Sequence, residues 1–391
     1  MTTTSDAVGS TAVHPSGRTA ASASIGPDRV ELRWPALNRD APVSLPHLWL
    51  RDNCPCDECR VVQTGEKKFH LTSVPVDLAP TTATLQDDTL TVTWPDGHIT
   101  TMTATLIAHA IDGRPAPAVR YWSSEFSPIR ADFADFFSSA DVAVRALREF
   151  LSTGVLVLTD APTEPNSLED FAPRLGPMRE MSFARVHNVE VDVSGYNVAH
   201  TNLPLPPHND FAGMSWPPSV QALHMLANEV DDGLSVIVDG FGVLAEMRAE
   251  EPALFAALTT TALPFRMWDD TTETYAVETM VELNAAGDVS RLRYSNQVMQ
   301  PMDPTGATVA DFYRAYHHLS QKIVDRRNQA RFRLEGGHVL LVASHRVLHA
   351  RDGFKPTGRR HLQDAYFEHD NIRNHLFVLE RELAAQKEER S

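Results

Sequence analysis

The stretch His338-Val-Leu-Leu-Val-Ala343-Ser-His345-Arg-Val-Leu-His349-Ala-Arg-Asp352 decides how the chain is read. It opens on a short apolar run with β-branched residues near both ends, which suits a buried strand. Two histidines follow four residues apart, on one face of an extended chain. Both are candidate metal ligands, and spacing alone does not choose between them. Far upstream, Pro206-Pro-His208-Asn-Asp210-Phe211 places an imidazole and a carboxylate one residue apart, so both point to the same side of an extended segment. Two histidines and one carboxylate leave three positions of an octahedron open, the non-haem Fe(II) arrangement for O2 chemistry. Arg360 lies eleven residues beyond His349, in Thr357-Gly-Arg-Arg360-His-Leu-Gln363. On neighbouring antiparallel strands, that spacing sets a guanidinium beside the metal, able to grip a carboxylate in bidentate fashion.

Working outward, Ala140–Thr153 has helical spacing and stops at Gly154, and Val155-Leu-Val-Leu158 reads as a strand. Further helices are expected near 241–250 and across 309–328, set among short strands. The rear of the chain is therefore mainly β with helices packed outside. The front differs. Alternating segments at 29–34 and 89–94, separated by Pro, Asp and Gly, predict small antiparallel strands. A Pro-rich joint, Asp112-Gly-Arg-Pro-Ala-Pro117, separates front from rear. The expected division is a disordered tail at 1–27, a small domain at 28–112 and a large one at 113–391.

The front holds all three cysteines, Cys54, Cys56 and Cys59, in Asn53-Cys-Pro-Cys-Asp-Glu-Cys59. Three thiols so close cannot build a disulfide framework; they suit tetrahedral zinc in a reducing compartment. A fourth ligand must come from elsewhere, and His70 and His98 both qualify. A closed set of four protein ligands has no open position, so its role would be structural.

Composition narrows the partners. Hydrophobic residues make 42% and charged residues 22% of the 391, which is globular and excludes a wholly disordered chain. A net charge of −16 disfavours phosphate backbones and anionic lipid, so neither nucleic acid nor membrane is expected as a partner. No run is long and apolar enough to cross a bilayer, and the tail lacks the apolar core of a signal peptide. The expected location is the cytoplasm. Any self-association is expected to give a homodimer, the commonest soluble oligomer.

Leu50-Arg-Asp-Asn-Cys54-Pro-Cys56, His208-x-Asp210, His349 and Arg360-His-Leu362 together resemble the γ-butyrobetaine and trimethyllysine hydroxylases. These are Fe(II)/2-oxoglutarate dioxygenases related to the taurine dioxygenases. The resemblance implies a double-stranded β-helix (jelly-roll) core and a small zinc-binding β domain at the N-terminus. It implies that His208, Asp210 and His349 hold iron, with His349 preferred over His345 by its distance from Arg360. His98, in Trp94-Pro-Asp-Gly-His98, would complete the zinc site with the three cysteines. Arg360 would bind the distal carboxylate of 2-oxoglutarate, with Ser235 supplying a hydroxyl.

At the substrate end, the family's aromatic cage for a trimethylammonium group maps to Phe183, His187, His200 and Tyr366. Two histidines thus stand where the family has Trp and Tyr, and neutral imidazole is the poorer cation–π partner. Asn197 and Asn296 match amides that bond the substrate's anionic group. The resemblance implies an enzyme that hydroxylates a small betaine-like zwitterion with O2. Two other readings are an oxidase that desaturates or rearranges an amine-bearing phosphonate or acid, and a non-enzymatic metal-binding protein.

Overall fold

The computed structural model describes residues 21–113, 117–181, 184–190 and 201–390. Phe183, Asn197 and His200 lie outside the described residues. The chain parts into two compact units, the first running to Ala116 and the second starting at Pro117.

The second unit is built on two main sheets, beside two-stranded antiparallel pairs at 262–279 and 281–292. One has six strands in the order Arg130–Asp132, Val155–Thr159, His338–Ala343, Val220–Asn228, Arg360–Phe367, Val186–Glu190. The other has four, in the order Leu205–His208, Val347–Arg351, Ser235–Asp239, Gln329–Phe332. All described pairings are antiparallel except that of Arg130–Asp132 with Val155–Thr159. The period of two explains why these strands are apolar on both faces. Val155, Val157, Leu340, Val342 and Leu362 face inward and pack against Ile237, Ala330 and Val347 of the four-stranded sheet. Leu156, Leu158, Val339, Leu341 and Phe367 face outward onto helical residues such as Leu147, Phe150, Ile372 and Leu376. Each such fully buried side chain contributes about 1.5–3 kcal/mol. Two facing sheets with outer helices agree with the expected jelly roll.

Local signals set the ends of several elements. Ser139 caps Ala140–Thr153 by accepting a hydrogen bond from Val142 N–H, and Gly154 ends it at φ 80°. A Cβ there would stand 2.9 Å from Val347 Cγ2, so the turn into the next strand needs glycine twice over. The expected 309–328 helix ends earlier, at Val324, because Asp325 leaves the helical region (ψ 125°) and caps a short 3-10 turn, Arg326–Asn328. A long C-terminal helix, His369–Arg390, was not legible in the sequence; it buries Ile372, Leu376 and Leu379 against the outer face of the large sheet.

The first unit holds two three-stranded antiparallel sheets, Ser22–Ile25, Arg29–Arg33, Val43–Pro46 and Thr82–Gln86, Thr89–Thr93, Ile99–Thr103. Their shared core is Val30, Leu32, Trp34, Leu50, Leu90, Val92, Trp94, Met102 and Ile107. Ser22–Ile25, expected to lie in a disordered tail, instead pairs in register with Arg29–Arg33. Backbone hydrogen bonds across a Gly26-Pro27 turn suffice for an edge strand, and small polar side chains do not reveal it in the sequence.

Candidate active site

Two neighbouring strands bring the separated motifs together. His208 ends Leu205–His208 and stands opposite His349 in the antiparallel register. Their ring centroids are 4.3 Å apart. Asp210 follows, with Oδ1 3.2 Å from His208 Nε2 and Oδ2 3.8 Å from His349 Nε2. One ligand atom from each residue lies within 4.8 Å of the others. His345, the competing histidine, points elsewhere and bonds Pro217 O at 3.0 Å. His338 accepts from Glu335 N–H.

The residue between the two ligands is the brace that shapes the motif. Asn209 donates to Ser344 O at 2.6 Å and accepts from Tyr294 N–H at 2.8 Å, while its own N–H donates to Tyr294 O. This ties the loop to the turn before the His349 strand. Phe211 then takes the left-handed conformation (φ 54°) and turns the chain away. His208 Nδ1 lies 2.9 Å from Pro206 O, which fits an Nδ1–H donor and leaves Nε2 for a metal. Oδ2 of Asp210 accepts from the Tyr366 hydroxyl at 2.6 Å and from Gln221 Nε2 at 2.7 Å.

The electrostatics follow from burial and proximity. Burial alone would raise the Asp210 pKa, but the imidazoles of His349 and His208 hold it well below the carboxylate range. Burial pushes His349 down to about 4, with His208 adding to the effect. Burial also opposes a charge on His208, but Asp210 outweighs it and the net shift is upward. The donor set fits Fe(II): two imidazoles and one ionised carboxylate, convergent and oriented by groups behind them.

The triad opens on a cavity of about 440 Å³ between the two sheets. Arg360, Leu362, Asp364 and Tyr366 line it from one face of a strand in the six-stranded sheet, which faces the His349 strand rather than neighbouring it as the spacing suggested. Arg360 is only 8% exposed, and its Nε has no hydrogen-bond partner among the described residues. Burial lowers its pKa to about 10, and the guanidiniums of Arg351 and Arg333 add to the shift. An anion is the natural complement of such a group. Ser235 lines the same cavity, placed there by Gly233 (φ 77°), whose missing side chain admits Phe354. 2-Oxoglutarate therefore fits, with a carboxylate available to Arg360 and a hydroxyl nearby.

Of the residues expected at the substrate end, His187 and Tyr366 line the cavity. Asn296 does not; it is exposed, and its neighbour Gln297 is on the wall instead. That loop follows no period that would have distinguished the two. Phe211, Gln221 and Asp364 also reach the cavity but carry no motif of their own. Their roles become visible only once the strands are registered.

In the first unit, Cys54, Cys56, Cys59 and His98 converge, again with ligand atoms within 4.8 Å of one another. His98 Nε2 is 3.3, 3.8 and 3.6 Å from the three sulfurs in chain order. The cysteines leave the end of His47–Asp52, and His98 comes from the turn between Thr89–Thr93 and Ile99–Thr103. His70, the other candidate, is exposed and outside the cluster. Burial drives the Cys59 thiol up to about 11, with the neighbouring Cys56 and Cys54 adding to the shift. Glu58 Oε2 lies 3.4 Å from His98 Nδ1, where a carboxylate orients a metal-binding imidazole.

Known proteins resemble this chain over most of its length. The taurine catabolism dioxygenase TauD, TfdA family matches residues 114–366, and the gamma-butyrobetaine hydroxylase-like N-terminal family matches residues 24–103. A gamma-butyrobetaine dioxygenase from Pseudomonas sp. (strain AK-1) is 32% identical over 345 residues, 86% of this chain and 90% of that protein. The gamma-butyrobetaine dioxygenase of Homo sapiens is 26% identical over 350 residues, covering 85% and 90%. The mitochondrial trimethyllysine dioxygenase of Homo sapiens is 26% identical over 344 residues, covering 84% and 81%. The chain belongs to the TauD, TfdA dioxygenase family, as an enzyme that uses iron and 2-oxoglutarate.

Proposed function

We propose that this enzyme hydroxylates a C–H bond of a small betaine-like zwitterion, with His208, Asp210 and His349 as iron ligands. Iron and 2-oxoglutarate supply the O2 chemistry: 2-oxoglutarate is oxidised to succinate and CO2, and one oxygen atom enters the substrate. The protein's own part is positioning. Arg360 pairs with the distal carboxylate of 2-oxoglutarate and the Ser235 hydroxyl donates to it. Gln221 and Tyr366 hold Asp210 through Oδ2, and Pro206 O holds the His208 ring in the tautomer that frees Nε2. Leu205, Leu223, Leu340 and Leu362 on the cavity wall exclude water from the reacting carbon. His187 and Tyr366 belong to the substrate end, and Gln297 takes the place on the wall expected for Asn296. Phe183, Asn197 and His200 keep the substrate roles that the family implies.

The observation that carries this reading is the buried, unpaired Nε of Arg360 on the same cavity as the triad. In the first unit, Cys54, Cys56, Cys59 and His98 are assigned a structural zinc, making 28–112 a zinc domain in front of a dioxygenase domain at 113–391. Membership of a dioxygenase family leaves no place for the non-enzymatic reading. The test is a pair of variants. His349→Ala should lose iron and succinate formation, while His345→Ala should keep both. Wild-type turnover in His349→Ala, or the reverse pattern, contradicts the ligand assignment.

A further inference from the structure

The cavity wall has opposite charges at its two ends. Arg360 and Asp364 project from the same face of one strand, four residues and roughly 13 Å apart. Asp364 is only 5% exposed. Its Oδ2 accepts from Gln221 Nε2 at 3.1 Å. Its Oδ1 takes no hydrogen bond among the described residues, since His187 Nδ1 stops at 3.6 Å. The other charged groups on the wall at this end are committed. Arg266 pairs with Glu273 and lies over Trp268, and Asp269 spends its carboxylate on its own turn, accepting from Thr271 and Thr272.

We infer that Asp364 is the counter-ion for the substrate's ammonium group, and that the pocket selects an amine carrying an N–H over a quaternary one. This rests on the dioxygenase reading above and specifies its substrate. His187 Nδ1, 3.6 Å from Asp364 Oδ1, marks the side from which a donor approaches this carboxylate. An N–H-bearing cation donates to Asp364 Oδ1. A quaternary ammonium has no N–H to donate, and its methyl groups keep the charge further from the carboxylate. Burial disfavours a charge on His187, yet Asp364 raises its pKa overall, so this corner already favours a cation.

The Tyr366 hydroxyl on the same wall is already bonded, to Asp210. Phe211 and Tyr366 pack edge to face on one another at 5.1 Å. The substrate class is a short amino acid with a primary, secondary or tertiary amine.

The test is a methylation series: 4-aminobutanoate, its N-methyl and N,N-dimethyl forms, and γ-butyrobetaine. Each is titrated into the anaerobic enzyme loaded with Mn(II) and 2-oxoglutarate, and each is assayed for succinate with Fe(II). The wild-type enzyme should bind at least one N–H amine about tenfold more tightly than γ-butyrobetaine, the size of a charge-assisted hydrogen bond. Asp364→Asn keeps the shape and removes the charge; it should weaken the N–H amines about tenfold and shrink that ratio toward one. Equal or tighter binding of γ-butyrobetaine overturns the inference. So does a loss in Asp364→Asn that is uniform across the series, or no binding of any member. In those cases 2-oxoglutarate binding and slow succinate formation without amine would show that the dioxygenase reading survives.

Discussion

At the scale of single residues, the site depends on groups whose burial makes sense only with a ligand present. Arg360 is the clearest, a guanidinium on the six-stranded sheet that lines the triad's cavity and is left, among the described residues, with an unpaired Nε. Arg360→Ala should raise the KM for 2-oxoglutarate by about 30–150-fold, corresponding to roughly 2–3 kcal/mol, with a smaller effect on kcat. Kinetics over a range of 2-oxoglutarate concentrations check this, and an unchanged KM would remove Arg360 from the co-substrate site. His345 makes a prediction about pH. Burial pushes its pKa to about 4, below the ordinary 6.5, so it is neutral in the fold. Its contribution is full above pH 6.5 and is lost as pH falls toward 4, to an extent of about 2–3 kcal/mol. Thermal melts of His345→Gln should show a flatter slope across that window than wild type. Sequence made the histidines, Asp210 and Arg360 legible because chemistry restricts their type. It left Asn209, Gln221 and Asp364 unread, because an amide or carboxylate gains its meaning only from what lies opposite.

At the scale of elements, turns and caps set the geometry. The 140–153 helix and the strand after it were readable because an apolar period met a capping Ser139 and a terminal Gly154. Gly154→Ala should lower stability by about 2 kcal/mol, combining the cost of a positive φ with the clash against Val347. A denaturant titration measures it, and no loss would contradict the close approach. The C-terminal helix escaped notice because charged residues dilute the spacing of Ile372, Leu376 and Leu379. The cysteine loop was legible from spacing, but the choice of His98 over His70 needed the turn between two strands. Cys56→Ser should lower zinc content and melting temperature together. A variant with full zinc and a wild-type melting temperature would contradict a structural role.

At the scale of the whole molecule, two ligand sets serve two purposes. The front set of three thiols and one imidazole is closed, whereas the rear set of two imidazoles and one carboxylate opens on a cavity with opposite charges at its ends. Removing iron should abolish turnover, which added Fe(II) restores; removing zinc should lower the melting temperature instead. The central claim is that the rear cavity couples 2-oxoglutarate oxidation to oxygenation of a small amine-bearing acid. The most direct measurement is a stoichiometry: O2 is added to the anaerobic Fe(II) and 2-oxoglutarate complex with the amine series present, and succinate and product mass are recorded. The account predicts succinate formation stimulated by an amine, and a product heavier by one oxygen in equal amount. A failure of every amine to stimulate succinate, or a product that has lost two hydrogens without gaining oxygen, would contradict it.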